Sequence, residues 1–206
     1  MAARAEALRL AEAAATRLCH DLSGPIGSLN QALELAAMEL SAQCEAFTLA
    51  RQAAAELAHK IRLLRAAWGG DGPALDLTGL RSLAAGLRAE LDLTGVPADT
   101  VFSPPMARVL LNVLLLANES LPTGGRIALS GTATDVFVAI EDLNAAWPPG
   151  LPLCLADEDA AMAAISNPRT LQMPLTALLA HGHGLRLSVL LGGPKGVPAP
   201  LRLSES

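Results

Sequence analysis

Through its first 68 residues the chain places apolar side chains at helical spacing, with no stretch that alternates like a strand. Leu18, Leu22, Ile26, Leu29, Leu33, Ala36 and Leu40 follow at intervals of four, four, three, four, three and four, the seam of a long amphipathic helix near heptad period. A second seam runs through Ala50, Ala54, Leu57, Ile61, Leu64 and Trp68, and the polar residues around Ser41–Glu45 predict a turn between the two helices. Two antiparallel helices with one narrow apolar stripe each cannot cover that stripe alone. Packing two such hairpins into a four-helix bundle does, so the spacing predicts a homodimer; the alternative is burial against the rest of the same chain.

Gly69-Gly70-Asp71-Gly72-Pro73 interrupts the helical pattern and reads as a linker, separating a hairpin of residues 1–69 from a second domain of residues 73–206. In that domain Leu77–Leu93 and Pro104–Leu121 read as helices, the latter with proline at its start. Arg126–Thr132 and Val136–Asp142 alternate like strands and predict a hairpin with a tight turn at Asp135. Glu158–Ile165 and Thr170–Ala180 read as helices, Leu185–Leu191 as a strand and Leu201–Leu203 as a last edge strand. The predicted class is α+β: a helical hairpin forming a dimeric four-helix bundle, then an α/β sandwich with helices on one face of an antiparallel sheet.

Composition narrows the function. Of 206 residues, 51% are hydrophobic and 2% aromatic, so the core is built from Leu, Ala, Val and Ile. A formal net charge of −5 gives no basic face for nucleic acid and no attraction to an anionic membrane surface. The apolar run Val109–Ala117 is too short to span a bilayer, and Arg4, Glu6, Arg9 and Glu12 break up any signal-peptide pattern. Cys19, Cys44 and Cys154 lie far apart, without ligand spacing, as expected of a chain kept in the reducing cytoplasm.

Against this background Cys19-His20-Asp21-Leu22-Ser23-Gly24-Pro25 stands out. Proline inside a helix removes a hydrogen bond and clashes with the preceding turn, and glycine adds a penalty of about 1 kcal/mol. At 3.6 residues per turn His20 lies about 160–200° from Leu18 and Leu22, pointing away from the seam. Gly24 and Gly27 follow at i+4 and i+7 and leave bare backbone beside the imidazole. An exposed imidazole with an ordinary pKa near 6.5 is largely neutral at cytoplasmic pH, as a phosphoryl acceptor must be, and Asp21 is placed to bind one ring N–H and fix the tautomer.

His20-Asp21-x-x-x-Pro25 resembles the H-box of histidine kinases, the first helix of a dimerising hairpin. That motif often carries Thr or Asn four residues after the histidine, a position linked to phosphatase activity; here it is Gly24. The C-terminal half resembles a kinase ATPase domain whose chemistry has been lost. Val109–Ala117 with Pro122-Thr123-Gly124-Gly125 is similar to the N-box, but the Mg²⁺-binding asparagine is Leu116, and Asn118 falls on another helix face. Asp142-Leu143-Asn144-Ala145-Ala146 keeps the aspartate of D-x-G-x-G without its glycines, and Gly182-His183-Gly184-Leu185-Arg186-Leu187 has arginine for the third glycine.

The whole pattern, including Ile26–Asn30, Ile61–Gly69 and Thr170–Thr176, resembles the ChpT-type histidine phosphotransferases of alphaproteobacteria. The resemblance implies a phosphorelay intermediate that binds no ATP. A phosphoryl group passes from the receiver-domain aspartate of a hybrid histidine kinase to His20, then to a response-regulator aspartate. It implies no bound cofactor, with Mg²⁺ supplied by the receiver, and docking over Gly24, Gly27, Ser28, Gln31, Arg62 and Arg65. A kinase-binding scaffold and an atypical active kinase remain as alternatives. His59, His181 and His183 read as surface or loop residues.

Overall fold

The computed structural model describes residues 2–38, 43–70, 72–190 and 197–205. They form two compact units, Met1–Arg62 and Leu63–Ser206.

Helix α1 (Ala2–Met38) and helix α2 (Gln43–Trp68) make the hairpin. Leu40 and residues 41–42 of the predicted turn fall outside the described residues, and its remainder, from Gln43 on, already belongs to α2. The side chains this unit buries are small: Ala32, Ala36, Ala46, Ala50 and Ala53. Its large apolar ones are not covered. Leu18, Ile26, Leu33, Leu35, Phe47, Leu49 and Ile61 are 37–53% exposed, and Leu22 and Leu29 are half-buried. Alanines let two backbones approach closely; of the seams read from the sequence, Ala36, Ala50 and Leu64 are buried, while Leu18, Ile26, Leu33 and Ile61 are exposed. On another side, Ser28, Gln31, Ala32 and Leu35 of α1 and Leu49, Gln52, Ala53 and Glu56 of α2 line a shallow groove.

The second unit begins with the last residues of α2 and continues through β1 (Leu75–Asp76) and α3 (Leu77–Ala84). Asp76 caps α3, accepting from the Gly79 N–H at 2.7 Å. Then come β2 (Glu90–Gly95), β3 (Val101–Phe102), α4 (Pro104–Glu119), β4 (Arg126–Gly131) and β5 (Asp135–Glu141). Three helices follow, α5 (Leu151–Ala156), α6 (Glu158–Ala163) and α7 (Gln172–Gly182), before β6 (Leu185–Val189) and β7 (Leu201–Glu205). β1 pairs with β3, and the main sheet has the order β2-β4-β5-β7-β6. Val109, Leu110, Val113, Leu114, Leu116 and Ala117 of α4 are fully buried with Ile127, Val138, Ile140, Leu201 and Leu203 of the sheet, so α4 is apolar on nearly every side because it runs through the core.

Three expectations are corrected. Leu77–Leu93 is not one helix: it ends at Ala84, and Glu90–Gly95 is a strand. The spacing Leu80, Ala84, Leu87, Leu91 imitates a helix, while Glu90-Leu91-Asp92-Leu93 also alternates with period two, and pairing with β4 decides between them. That pairing is parallel, so the sheet is mixed; the long connection through α4 makes it possible. Leu201–Leu203 is no edge strand but lies between β5 and β6, tied down by Arg202, whose Nε and Nη2 each donate to Asp135 at 2.8 Å. The short helix α5 and the β1–β3 pair had no sequence signal strong enough to predict.

Candidate functional site

Pro25 sits inside α1, which continues through it. Without an N–H at residue 25 the Asp21 carbonyl has no helical donor. Nearby, the Ser23 hydroxyl donates to the Cys19 carbonyl at 2.7 Å and the Ser28 hydroxyl to that of Gly24 at 3.2 Å. The His20 side chain is 59% exposed. Its Nδ1 lies 3.4 Å from Asp21 Oδ1, at the outer limit of a hydrogen bond. An ionised carboxylate only accepts, so a hydrogen bond at this contact puts the proton on Nδ1 and leaves the lone pair on Nε2. Asp21 has a second partner that sequence reading missed: Arg17 Nε donates to its other oxygen at 2.9 Å. The signal available was the i, i+4 spacing of opposite charges.

Gly24 and Gly27 lie along His20's side of α1, and a Cβ built at either meets nothing within 4 Å. Packing therefore does not require glycine there, although each weakens the helix by about 1 kcal/mol relative to alanine. Ser28 and Gln31 continue the same stripe into the groove, whose α2 wall of Leu49, Gln52 and Glu56 was not anticipated. The two arginines are less clearly engaged. Arg62 is turned to His59, with Nη2 3.1 Å from Nδ1, while Arg65 is exposed and belongs to the second unit. His59 is half-buried, and its contact with Arg62 is exposed.

In the second unit each remnant of a nucleotide box has a structural occupation. Leu116 is fully buried in the core. Asn112, also fully buried, donates through Nδ2 to the Ala67 carbonyl at 2.8 Å and accepts from Gln172 Nε2 at 3.0 Å; Thr176 Oγ1 donates to the Gln172 carbonyl at 2.7 Å. Helix α7 thus closes over α4 through a buried amide network. Asn118 Oδ1 accepts from the backbone of Arg88 and Ala89 and fixes the entry to β2. The Thr123 hydroxyl donates to Asp142 Oδ2 at 2.7 Å and holds that carboxyl below the usual range. Gly125, at φ +121°, is needed because a Cβ would meet the Glu141 carbonyl at 2.6 Å. Gly184, at φ +66°, follows the C-terminus of α7 as a helix-ending glycine.

Among the described residues there is no group of three or more His, Cys, Asp or Glu able to hold a metal ion, and no helix is long and apolar enough to cross a membrane.

A family model for the C-terminal domain of histidine phosphotransferases matches residues 78–195, more than half of the chain and the region in which these boxes are rebuilt. The chain belongs to the histidine phosphotransferase family. This phosphotransferase is 27% identical over 192 residues to the protein phosphotransferase ChpT of Brucella abortus (strain 2308), covering 89% of its own length and 90% of the relative's. It also shares its fold, at a TM-score of 0.71 and 24% identity over 96% of both chains, with a solved bacterial phosphotransferase.

Proposed function

We propose that His20 is the phosphoacceptor of this histidine phosphotransferase, and that Nε2 is the attacking atom. The observation that carries the reading is an exposed imidazole with its Nδ1 side turned to a carboxylate, on a helix that keeps Pro25 and two sterically unnecessary glycines beside it. Positioning of a nucleophile is most of what phosphoryl transfer asks of a protein. The donor would be the receiver-domain aspartate of a hybrid histidine kinase and the acceptor that of a response regulator. Each receiver would bring its own Mg²⁺, and this chain would bind no cofactor. Gly24, Gly27, Ser28 and Gln31 support docking on this face of α1; Arg62 and Arg65 are weaker candidates. Following label from a phosphorylated receiver to a second receiver, with the natural chain and with His20→Ala, tests the assignment, and transfer that survives the substitution refutes it.

The exposed seam of Leu18, Ile26 and Leu33 supports the homodimer, with a second hairpin as its cover. The cytoplasm, where receivers and reduced cysteines are found, is the compartment this reading requires.

ATP plays no part in the proposed reaction. The asparagine needed for Mg²⁺ is a buried leucine, and Asn112 is fully engaged with Gln172 and Ala67. Leu116→Asn is therefore expected not to create nucleotide binding. Titration with an ATP analogue and Mg²⁺, followed by calorimetry, checks this, and measurable affinity in that single variant would overturn the assignment.

A further inference from the structure

We propose that Arg17 is a positioning residue for phosphoryl transfer, holding Asp21 so that its carboxylate accepts from His20 Nδ1–H and the Nε2 lone pair is left to attack. The proposal rests on the reading of His20 as phosphoacceptor.

Helix geometry alone does not bring His20 and Asp21 together. Adjacent residues diverge by about 100° around the axis and do not face each other. Arg17 lies three residues before His20 and four before Asp21, one turn away and beside both. Its Nε takes Asp21 Oδ2 at 2.9 Å, while Oδ1 lies 3.4 Å from the ring nitrogen. The Arg17 and Asp21 side chains are each 13% exposed, against 59% for His20, so the ion pair is tucked in and the imidazole stands out from it. Helix stability gives a weaker reason for this pair. A basic residue four positions before an acidic one is the less favourable order along a helix, and such pairs contribute only about 0.2–0.5 kcal/mol.

The chemistry supplies a reason. Neutral imidazole in water favours the tautomer with its proton on Nε2, which leaves the outward nitrogen without a lone pair. An anchored carboxylate at Nδ1 favours the other tautomer. In the transfer step the Nε2 lone pair forms the N–P bond as the P–O bond to the receiver's aspartate breaks, and that carboxylate departs with the bonding electrons. Nδ1 keeps its proton, and the positive charge gained by the ring lies against Asp21. Delivery to the next receiver reverses these changes, and no proton is released in either direction.

The test combines transfer rates with nitrogen-15 NMR of the full chain, the His20 signals being those lost in His20→Ala. The phosphodonor is a receiver domain charged with acetyl phosphate and Mg²⁺. Arg17→Met is expected to slow transfer roughly tenfold and to raise the share of the Nε2–H tautomer, with helix content by circular dichroism unchanged; Arg17→Lys is expected to recover most of both. A natural tautomer balance in Arg17→Met refutes the proposal, as does slowed transfer that lysine does not rescue. Transfer that persists in His20→Ala refutes the phosphoacceptor reading instead, and the proposal with it.

Discussion

Replacing His20 with alanine is expected to reduce phosphoryl transfer between receivers by at least about 10³-fold, because it removes the atom that carries the group rather than one that assists it. The natural chain should take up label that is lost in acid and kept in base, the behaviour of an N–P bond. The variant should take up none, while its circular dichroism spectrum and thermal transition stay close to those of the natural chain. The imidazole is 59% exposed, so its removal opens no cavity. Label on the variant with the same acid lability would place the acceptor at another of the histidines.

Ile26→Glu combined with Leu33→Glu is expected to convert a dimer of about twice 21.2 kDa into a monomer of 21.2 kDa, read by light scattering on a sizing column. Both side chains point outward on α1, at 43% and 47% exposure. In the proposed homodimer, burial of each in a second hairpin would contribute roughly 1.5–3 kcal/mol to association, and a carboxylate there would have to be desolvated instead. The milder Ile26→Ala with Leu33→Ala should give a dimer that dissociates on dilution. An unchanged mass for the charged variant would show that this seam is not the dimer face.

The sequence carried most of the hairpin. Its seams were legible because heptad spacing persists over several turns; Ala36, Ala50 and Leu64 of them are buried within one chain, while Leu18, Ile26, Leu33 and Ile61 are left open. What could not be read was the rest of the closing face, since alanine counts equally toward any helical pattern and only packing shows that Ala32, Ala46 and Ala53 are covered together with Ala36 and Ala50. In the second unit the helical spacing of Leu80–Leu91 runs into the alternation of Glu90–Leu93, and the strand appears once β4 lies beside it. Parallel pairing is a property of the path the chain takes, which local pattern does not encode. The same contrast holds for the site. His20, Asp21 and Gly24 announce themselves through a motif and a costly Gly-Pro, and Asn112 and Leu116 through departure from one. Arg17 sits in an ordinary run of helix formers, and its role emerges only from the 2.9 Å contact that turns the neighbouring carboxylate.

Gly24 and Gly27 bear on how this chain changes under selection. Alanine at either meets nothing within 4 Å beyond the helix's own backbone and strengthens the helix by about 1 kcal/mol. A library sorted only for survival of heat is expected to drift to alanine at both positions, whereas one sorted for throughput between receivers keeps glycine, and sequencing the two populations measures the difference. That divergence would read out, residue by residue, how much rigidity the helix forgoes so that a visiting protein can lie against its backbone.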